Sequence, residues 1–510
     1  MKVLTYVAVF LFAPIFLILT SSINVHGALR PVDIDYDGDV DGADLTAFSL
    51  SGAADGLARF AASFGAMENF AFVYDVGPGQ ACTDPGEVPW ESLMPGSLVR
   101  IHYRETDYPS KWVIAVAGRA DAPIVVRGIP KNGVLPVISG ENATTRLALD
   151  YWNENRSVIK IGGASYPSNV PAWITIENLD IRSARPAYTF IDDAGNSQAY
   201  ISNAAAIHVE QGSHITIRNC VLHDCANGFF AGAASADLLM ESNHIFDNGI
   251  ENSIYQHNNY TECRGLTFQY NHFGPLRSGC RGNNLKDRSA GTVIRYNWIE
   301  GGNRTLDLVD SGHNQLIHDP AYAETFVYGN VLIKHDVVEN SQVLHYGGDS
   351  GDTARYRKGT LWFFNNTVVS HRSSNTTLMR LSTNEEHAEC FNNVALVTAG
   401  SGRLAILDDT GSMNLHHNWL SEGWTEAHGM LGGTIDSWDN LTGILPGFTD
   451  LSANNYHLAP ASDCVDTGSA LPADILPDHA LLYQYLFDQG YTNREDANIL
   501  DIGAFTVEEE

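Results

Sequence analysis

The stretches LTFQYNHF (residues 266–273) and TVIRYNWI (292–299) decide how this chain folds, because they are one phrase written twice. Each is a run of β-branched and aromatic residues broken by an asparagine. The phrase recurs as ITIENLDI, ITIRNCVL, LLMESNHIF, TFVYGNVLI, LWFFNNTVV, AECFNNVAL and MNLHHNWL, and places the shared asparagine at 178, 219, 243, 271, 297, 330, 366, 393 and 418. The shortest intervals cluster at 24 to 28 residues, and those of 33, 36 and 41 imply loop insertions. A strand-rich unit that turns at asparagine once per period is what a solenoid requires. Each coil buries its inward residues against its neighbours, and the turn asparagines hydrogen-bond along the axis. The residue types favour strands over helices. Leucine-rich repeats would need Leu at fixed places, and propeller blades would need longer units. The pattern predicts an all-β chain wound as a right-handed parallel β-helix.

Working outward from each phrase, a second short strand lies upstream of it: AAIHVE (205–210), NGFFAG (227–232), SIYQHNNY (253–260), NNLKDR (283–288), RTLDLVD (304–310), SQVLHYGGD (341–349), TLMRLS (377–382) and LAILDD (404–409). Period-two alternation turns Ile207, Leu285, Leu306, Leu344 and Leu381 inward. The outward column then reads His208, Tyr255 or His257, Lys286 and Arg288, Asp307, His345 and Arg380. Rungs stack about 4.8 Å apart, so these scattered residues become neighbours.

Charge singles out the same place. The 510-residue chain carries 60 acids against 30 Lys and Arg, yet residues 264 to 304 hold Arg264, Arg277, Arg281, Lys286, Arg288, Arg295 and Arg304 against Asp287 and Glu300 alone. An acidic molecule is a poor nonspecific binder of nucleic acid, which needs a basic surface. A local cationic patch suits a specific anion in a groove. An extended groove on a solenoid suits a linear polymer, and the expected partner is an anionic polysaccharide.

Cleaving a uronic-acid polymer by β-elimination needs a group to neutralise the carboxylate, a base for the C5 proton and an acid for the leaving oxygen. Lys286 is the expected base. Arg288 or Arg380 would neutralise the carboxylate, with His208, Arg281 and Arg304 as further binding residues, and Tyr255, His257 or His345 would be the acid. Two alternatives stand beside this lyase. Asp307 with Asp310 or Asp349 offers the carboxylate pair of a glycoside hydrolase, and a non-catalytic glycan-binding or adhesin solenoid would use aromatics such as Trp152 and Phe190 as sugar platforms.

The amino terminus has its own grammar. Residues 1–27 have the apolar run and small polar exit of a secretion signal, which predicts a secreted, extracellular or periplasmic protein with no membrane span after cleavage. Residues 33–44, DIDYDGDVDGAD, set Asp33, Asp35, Asp37, Asp41 and Asp44 at positions 1, 3, 5, 9 and 12 of an EF-hand-type loop, with Gly38 at the sharp turn and the Asp39 carbonyl at position 7, so Ca2+ is the expected ion. The expected divisions are 1–27, a calcium-loop segment at 28–67, the β-helix at 68–465 and a C-terminal cap or tail at 466–510. Seven cysteines are too few and too uneven for a disulfide framework, which leaves buried apolar residues or the pairs Cys220–Cys225 and Cys263–Cys280.

Three resemblances follow from these residues. The calcium loop with LTAFSLSGAADGLARFAASFG resembles one half of a dockerin module, which implies a cohesin-like partner. The repeats, with the closing phrases PGFTDLSANNYHLAPASDCVDTG and NILDIGAF, resemble secreted bacterial β-helix proteins of the pectate-lyase-like class that act on polysaccharides. NNLKDRSAGTVIRYN is similar to a segment of the polysaccharide lyase family containing chondroitinase B and alginate lyases. That resemblance makes Lys286 the base and Arg295 to Asn297 the turn that follows. Where that family has a second catalytic Arg on the next strand, TLDLVD here offers Asp307, Val309 and Asp310, so the resemblance implies that Arg288, Arg304 or Arg380 substitutes for it.

Overall fold

A computed structural model describes residue 40 and residues 68–336, 339–487, 490–495 and 499–507. The calcium-loop residues Asp33, Asp35, Asp37, Asp39, Asp41 and Asp44, and the signal segment, lie outside the described residues. From Ala71 onward the chain forms one unit, a parallel β-helix. One coil shows the plan: Leu285–Asp287 lies in the first sheet, Ala290–Arg295 in the second and Trp298–Glu300 in the third, each paired in parallel with the strands one coil away. Coil-on-coil stacking turns the apolar sides of the strands inward, and one core runs from Val76 to Leu420. Ile207, Leu285, Leu306, Leu344 and Leu381 are all buried in it.

The corner between the second and third sheets is an asparagine ladder. Asn243, Asn271, Asn297, Asn330, Asn366, Asn393 and Asn418 each donate from Nδ2 to Oδ1 of the next asparagine at 2.9–3.0 Å, and the series ends on Asn440 as acceptor. Asn440 extends the series read from sequence, and the first two members do not join it. In each ladder coil the residue before the asparagine takes the left-handed conformation: Ser242, Tyr270, Tyr296, Asn365, Asn392 and His417 all have φ of 50 to 58°. Asn178 and Asn219 occupy that left-handed position, at φ 57 and 50°, so the ladder site of the second coil is Cys220, whose N–H donates to Asn243 Oδ1 at 3.0 Å. Asparagine suits both positions, because it tolerates the left-handed region and also stacks as an amide. Sequence alone therefore misplaces these two by one residue.

The long repeat intervals of 33 and 36 hold the segments 309–323 and 347–359, which leave the solenoid at the same corner between the first and second sheets. The C-terminal segment runs along a flank. Leu481 and Ile475 bury against Tyr270, Tyr296, Phe326 and Tyr328, and Asn365 Nδ2 donates to the Asp501 carbonyl at 2.9 Å. All seven cysteines are free; Cys220, Cys225, Cys263, Cys390 and Cys464 are buried as small apolar residues, and neither expected pair forms. Among the described residues no helix is long and apolar enough to cross a membrane.

Candidate functional site

Five strands of the first sheet carry the site: β1 (Asn259–Thr261), β2 (Leu285–Asp287), β3 (Leu306–Leu308), β4 (Gln342–Tyr346) and β5 (Thr376–Leu381). Their register sets Tyr260, Lys286, Asp307, His345 and Arg380 side by side, preceded by Phe230 and His208. The outward column is thus the expected one except at β1. That strand is three residues long and begins at Asn259, so Tyr260 takes the place assigned to Tyr255 or His257. A second, short ladder fixes the offset: Asn248 Nδ2 donates to Asn258 Oδ1 and Asn258 Nδ2 to Asn284 Oδ1, both at 3.0 Å. The doublets Asn258–Asn259 and Asn283–Asn284 carried this signal, because aligning them places Tyr260 beside Lys286.

A cleft of about 770 Å³ opens over these rungs, walled by Tyr255, His257, Tyr260, Arg281, Asn283, Lys286, Arg288, Arg304, Asp307 and Asp349. Its floor is Asp307, which is wholly buried. Asp307 Oδ2 accepts from Lys286 Nζ at 2.5 Å and from Asn283 Nδ2 at 2.7 Å, and Oδ1 accepts from His345 Nδ1 at 2.9 Å and Arg304 at 3.3 Å. Burial would raise this carboxyl, but Lys286, His345 and Arg304 together carry it well below the ordinary value. Lys286 Nζ reaches a second carboxylate, Asp349 Oδ2, at 2.7 Å, and Arg288 holds Asp349 Oδ1 at 2.7 Å. Burial opposes the charge on Asp349 too, and Lys286 and Arg288 outweigh it and lower its pKa.

The remaining expected residues separate by position. Arg288 lies just beyond β2; its Nε donates to the Tyr260 hydroxyl at 3.2 Å and its NH1 to the Asp310 carbonyl. Arg304 donates to Gln342 Oε1 at 2.7 Å and stays in the cleft wall. His257 Nδ1 accepts the Asn283 N–H at 3.0 Å, and burial, reinforced by the Lys286 charge, pushes its pKa down to about 3. His345 has both ring nitrogens engaged, by Asp307 and by Ser382 Oγ at 2.9 Å, and burial lowers its pKa against the pull of Asp307. Tyr255 is 73% exposed on the loop at the mouth, off the sheet. Arg281 pairs with Glu339 at the rim, and Arg380 pairs with Asp408 at 3.6 Å beyond the cleft.

His208 does not reach the cleft: it is buried, edge-on to Phe230 at 5.2 Å, three rungs from Lys286. The cationic run read along the sequence also divides. Arg295 belongs to the second sheet with Gln269 and Tyr328, and Arg277 pairs with Asp224 and Asp247. Only Lys286, Arg288, Arg304 and the rim residue Arg281 of that run line the cleft. Phe190, offered as a sugar platform, is buried against Lys111, whereas Trp152 is 46% exposed.

Residues 163–319 match the family model described as a right-handed β-helix region. No curated protein matches the chain. Among solved structures the chain is similar to pectate lyase Pel9A (11% identity over 86% of this chain and 97% of that one, TM-score 0.46). It is also similar to a rhamnogalacturonan lyase (10%, 75% and 92%, 0.44) and to a GH136 lacto-N-biosidase from Eubacterium ramulus (11%, 73% and 68%, 0.43). The family match and the stacked parallel sheets together define a right-handed parallel β-helix.

Proposed function

We propose that this protein is a polysaccharide-active enzyme that cleaves a uronic-acid-containing polymer by β-elimination. One observation carries the proposal: Lys286, Arg288 and Arg304 converge on one open cleft over the first sheet, with the Tyr260 hydroxyl beside them. The guanidinium of Arg288 neutralises a uronate carboxylate, which makes the C5 proton acidic. Lys286 Nζ, after passing a proton of its own to solvent, takes the C5 proton; the C4–O bond breaks as the C4–C5 double bond forms. The leaving oxygen takes a proton from Tyr260. That phenol accepts the Arg288 N–H, so its own hydrogen is free to point into the cleft. Among the acids read from sequence, His345 is locked by its two partners and His257 is neutral, which leaves Tyr260 in the better position.

A glycoside hydrolase built on Asp307 and Asp349 fits less well. It needs one carboxyl that keeps its proton near neutral pH, and both are held below the ordinary value. Secretion, and a Ca2+-clamped loop formed by Asp33, Asp35, Asp37, Asp39, Asp41 and Asp44 that docks a cohesin-like partner, belong to the same proposal.

The test is ultraviolet absorbance of the unsaturated uronate during incubation with a panel of uronans, run beside a reducing-end assay. Rising absorbance that disappears in Lys286→Met supports the lyase. New reducing ends without absorbance turn the cleft into a hydrolase site, and silence in both assays rejects an enzyme acting on these polymers.

A further inference from the structure

The cleft contains a carboxylate that the mechanism does not use. Asp349 presents one oxygen to Lys286 and the other to Arg288, each at 2.7 Å, so its carboxylate bridges two cations as a bound ligand would. Of the three side chains it is the most exposed, at 33% against 8% for Lys286 and 15% for Arg288. Anything entering from the cleft meets the cations through it.

We propose that Lys286 and Arg288 form a subsite for a single carboxylate, which Asp349 fills until the uronate of the substrate displaces it. This rests on the reading of the cleft as a uronan site, and it names the group recognised there. Charge supports a monoanion. Lys286, Arg288 and Arg304 face Asp307, Asp310 and Asp349, three against three, and the lowered pKa values of His257 and His345 leave both neutral. Rotating Asp349 away leaves one uncompensated positive charge in a largely buried place, where an unpaired charge is costly. A planar carboxylate restores both the charge and the two oxygen positions.

The backbone limits how Asp349 moves. The Gly348 N–H donates to Ser382 Oγ at 2.9 Å, and those of Asp349 and Ser350 donate to Asp310 Oδ1 at 2.7 and 3.3 Å. A Cβ on Gly348 would stand 2.0 Å from the Tyr356 ring, so the loop is seated tightly at that point. Nine residues on, Arg357 anchors the same loop inside the core. Displacement is therefore a side-chain rotation about a pinned main chain, and Asp349 competes from a fixed place.

Calorimetric titration with D-galacturonate, D-glucuronate and acetate tests this directly, with galactose and inorganic sulfate as controls. Asp349→Ala and the shape-conserving Asp349→Asn are expected to bind at least one uronate about tenfold tighter than the wild type. The gain should vanish when Arg288→Gln is added, and galactose should not bind. Thermal melts of each variant confirm that it is folded, and Asp349→Asn stands in if the alanine variant is not. Equal or weaker uronate binding by a folded variant, or no binding by any form, overturns the proposal and makes Asp349 a positioning partner of Lys286. Sulfate that gains where uronate does not overturns the carboxylate assignment. Because these probes need no turnover, a gain without unsaturated product would leave the subsite standing while the lyase reading fell.

Discussion

Lys286 and Asp287 are adjacent on one three-residue strand, and both make ion pairs, but the pairs differ in kind. Asp287 points into the solenoid, where it and Arg357 are wholly buried. Its carboxylate accepts from Arg357 at 2.9 Å, Thr292 Oγ1 at 2.7 Å, Thr261 Oγ1 at 2.7 Å and the Ser289 N–H at 3.2 Å, while Arg357 also donates to the Val309 carbonyl at 2.9 Å and Thr325 Oγ1 at 3.2 Å. That pair is closed on every side. Lys286 points the other way, and one of its two partners, Asp349, opens to solvent. A buried pair with all its hydrogen bonds made has no exchange partner and serves as a rivet. A pair whose outer member is accessible can trade that member for a ligand.

The largest test of this contrast is Arg357→Ala, which strands the Asp287 charge in the core and should cost about 3–5 kcal/mol of stability in a thermal melt. A loss no greater than that of a surface substitution would erase the distinction between the two faces. Next in size is Asn297→Ala in the ladder. It removes the acceptor of two Asn271 donors and should cost about 1–3 kcal/mol, showing that uncharged polar stacking is worth less than the rivet.

Acid distinguishes the outer face in another way. The Asp307 pKa is lower folded than unfolded, so its stabilisation is fully present above the unfolded value of about 3.9 and is lost as pH falls toward the folded value below it. Wild-type stability should therefore fall below about pH 4 more steeply than that of Asp307→Asn, by at most about 1.4 kcal/mol per pH unit. A parallel pair of curves would detach Asp307 from the charge cluster. The smallest effect belongs to the rim. Arg281→Ala breaks an exposed pair with Glu339 and should change stability by less than about 1 kcal/mol, which a melt in moderate salt would check.

Much of the outer face was legible before the fold was known. Lys286, Asp307, His345 and Arg380 follow from strand alternation, since each stands next to a buried leucine (Leu285, Leu306, Leu344 or Leu381) and so turns to the opposite face. Tyr260 was obscured because the stretch 253–260 reads as one long strand, although only Asn259–Thr261 forms one. The ladder was legible from Asn243 to Asn418, and the doublets Asn258–Asn259 and Asn283–Asn284 mark the short second ladder. Lys286 bonds Asp349 across 63 positions of chain, and no local pattern announces a contact at that range.

By itself the sequence determined the solenoid, because each coil touches only its neighbours, so a repeat of about 24 to 28 residues with strands and a turn asparagine specifies the whole stack. Tertiary structure alone decided which cations share a cleft, which of two neighbouring charges is sealed inside and which carboxylate stands in the mouth. Those outcomes depend on where loops of unequal length return to the stack, and on how much water each side chain keeps once they have closed over it.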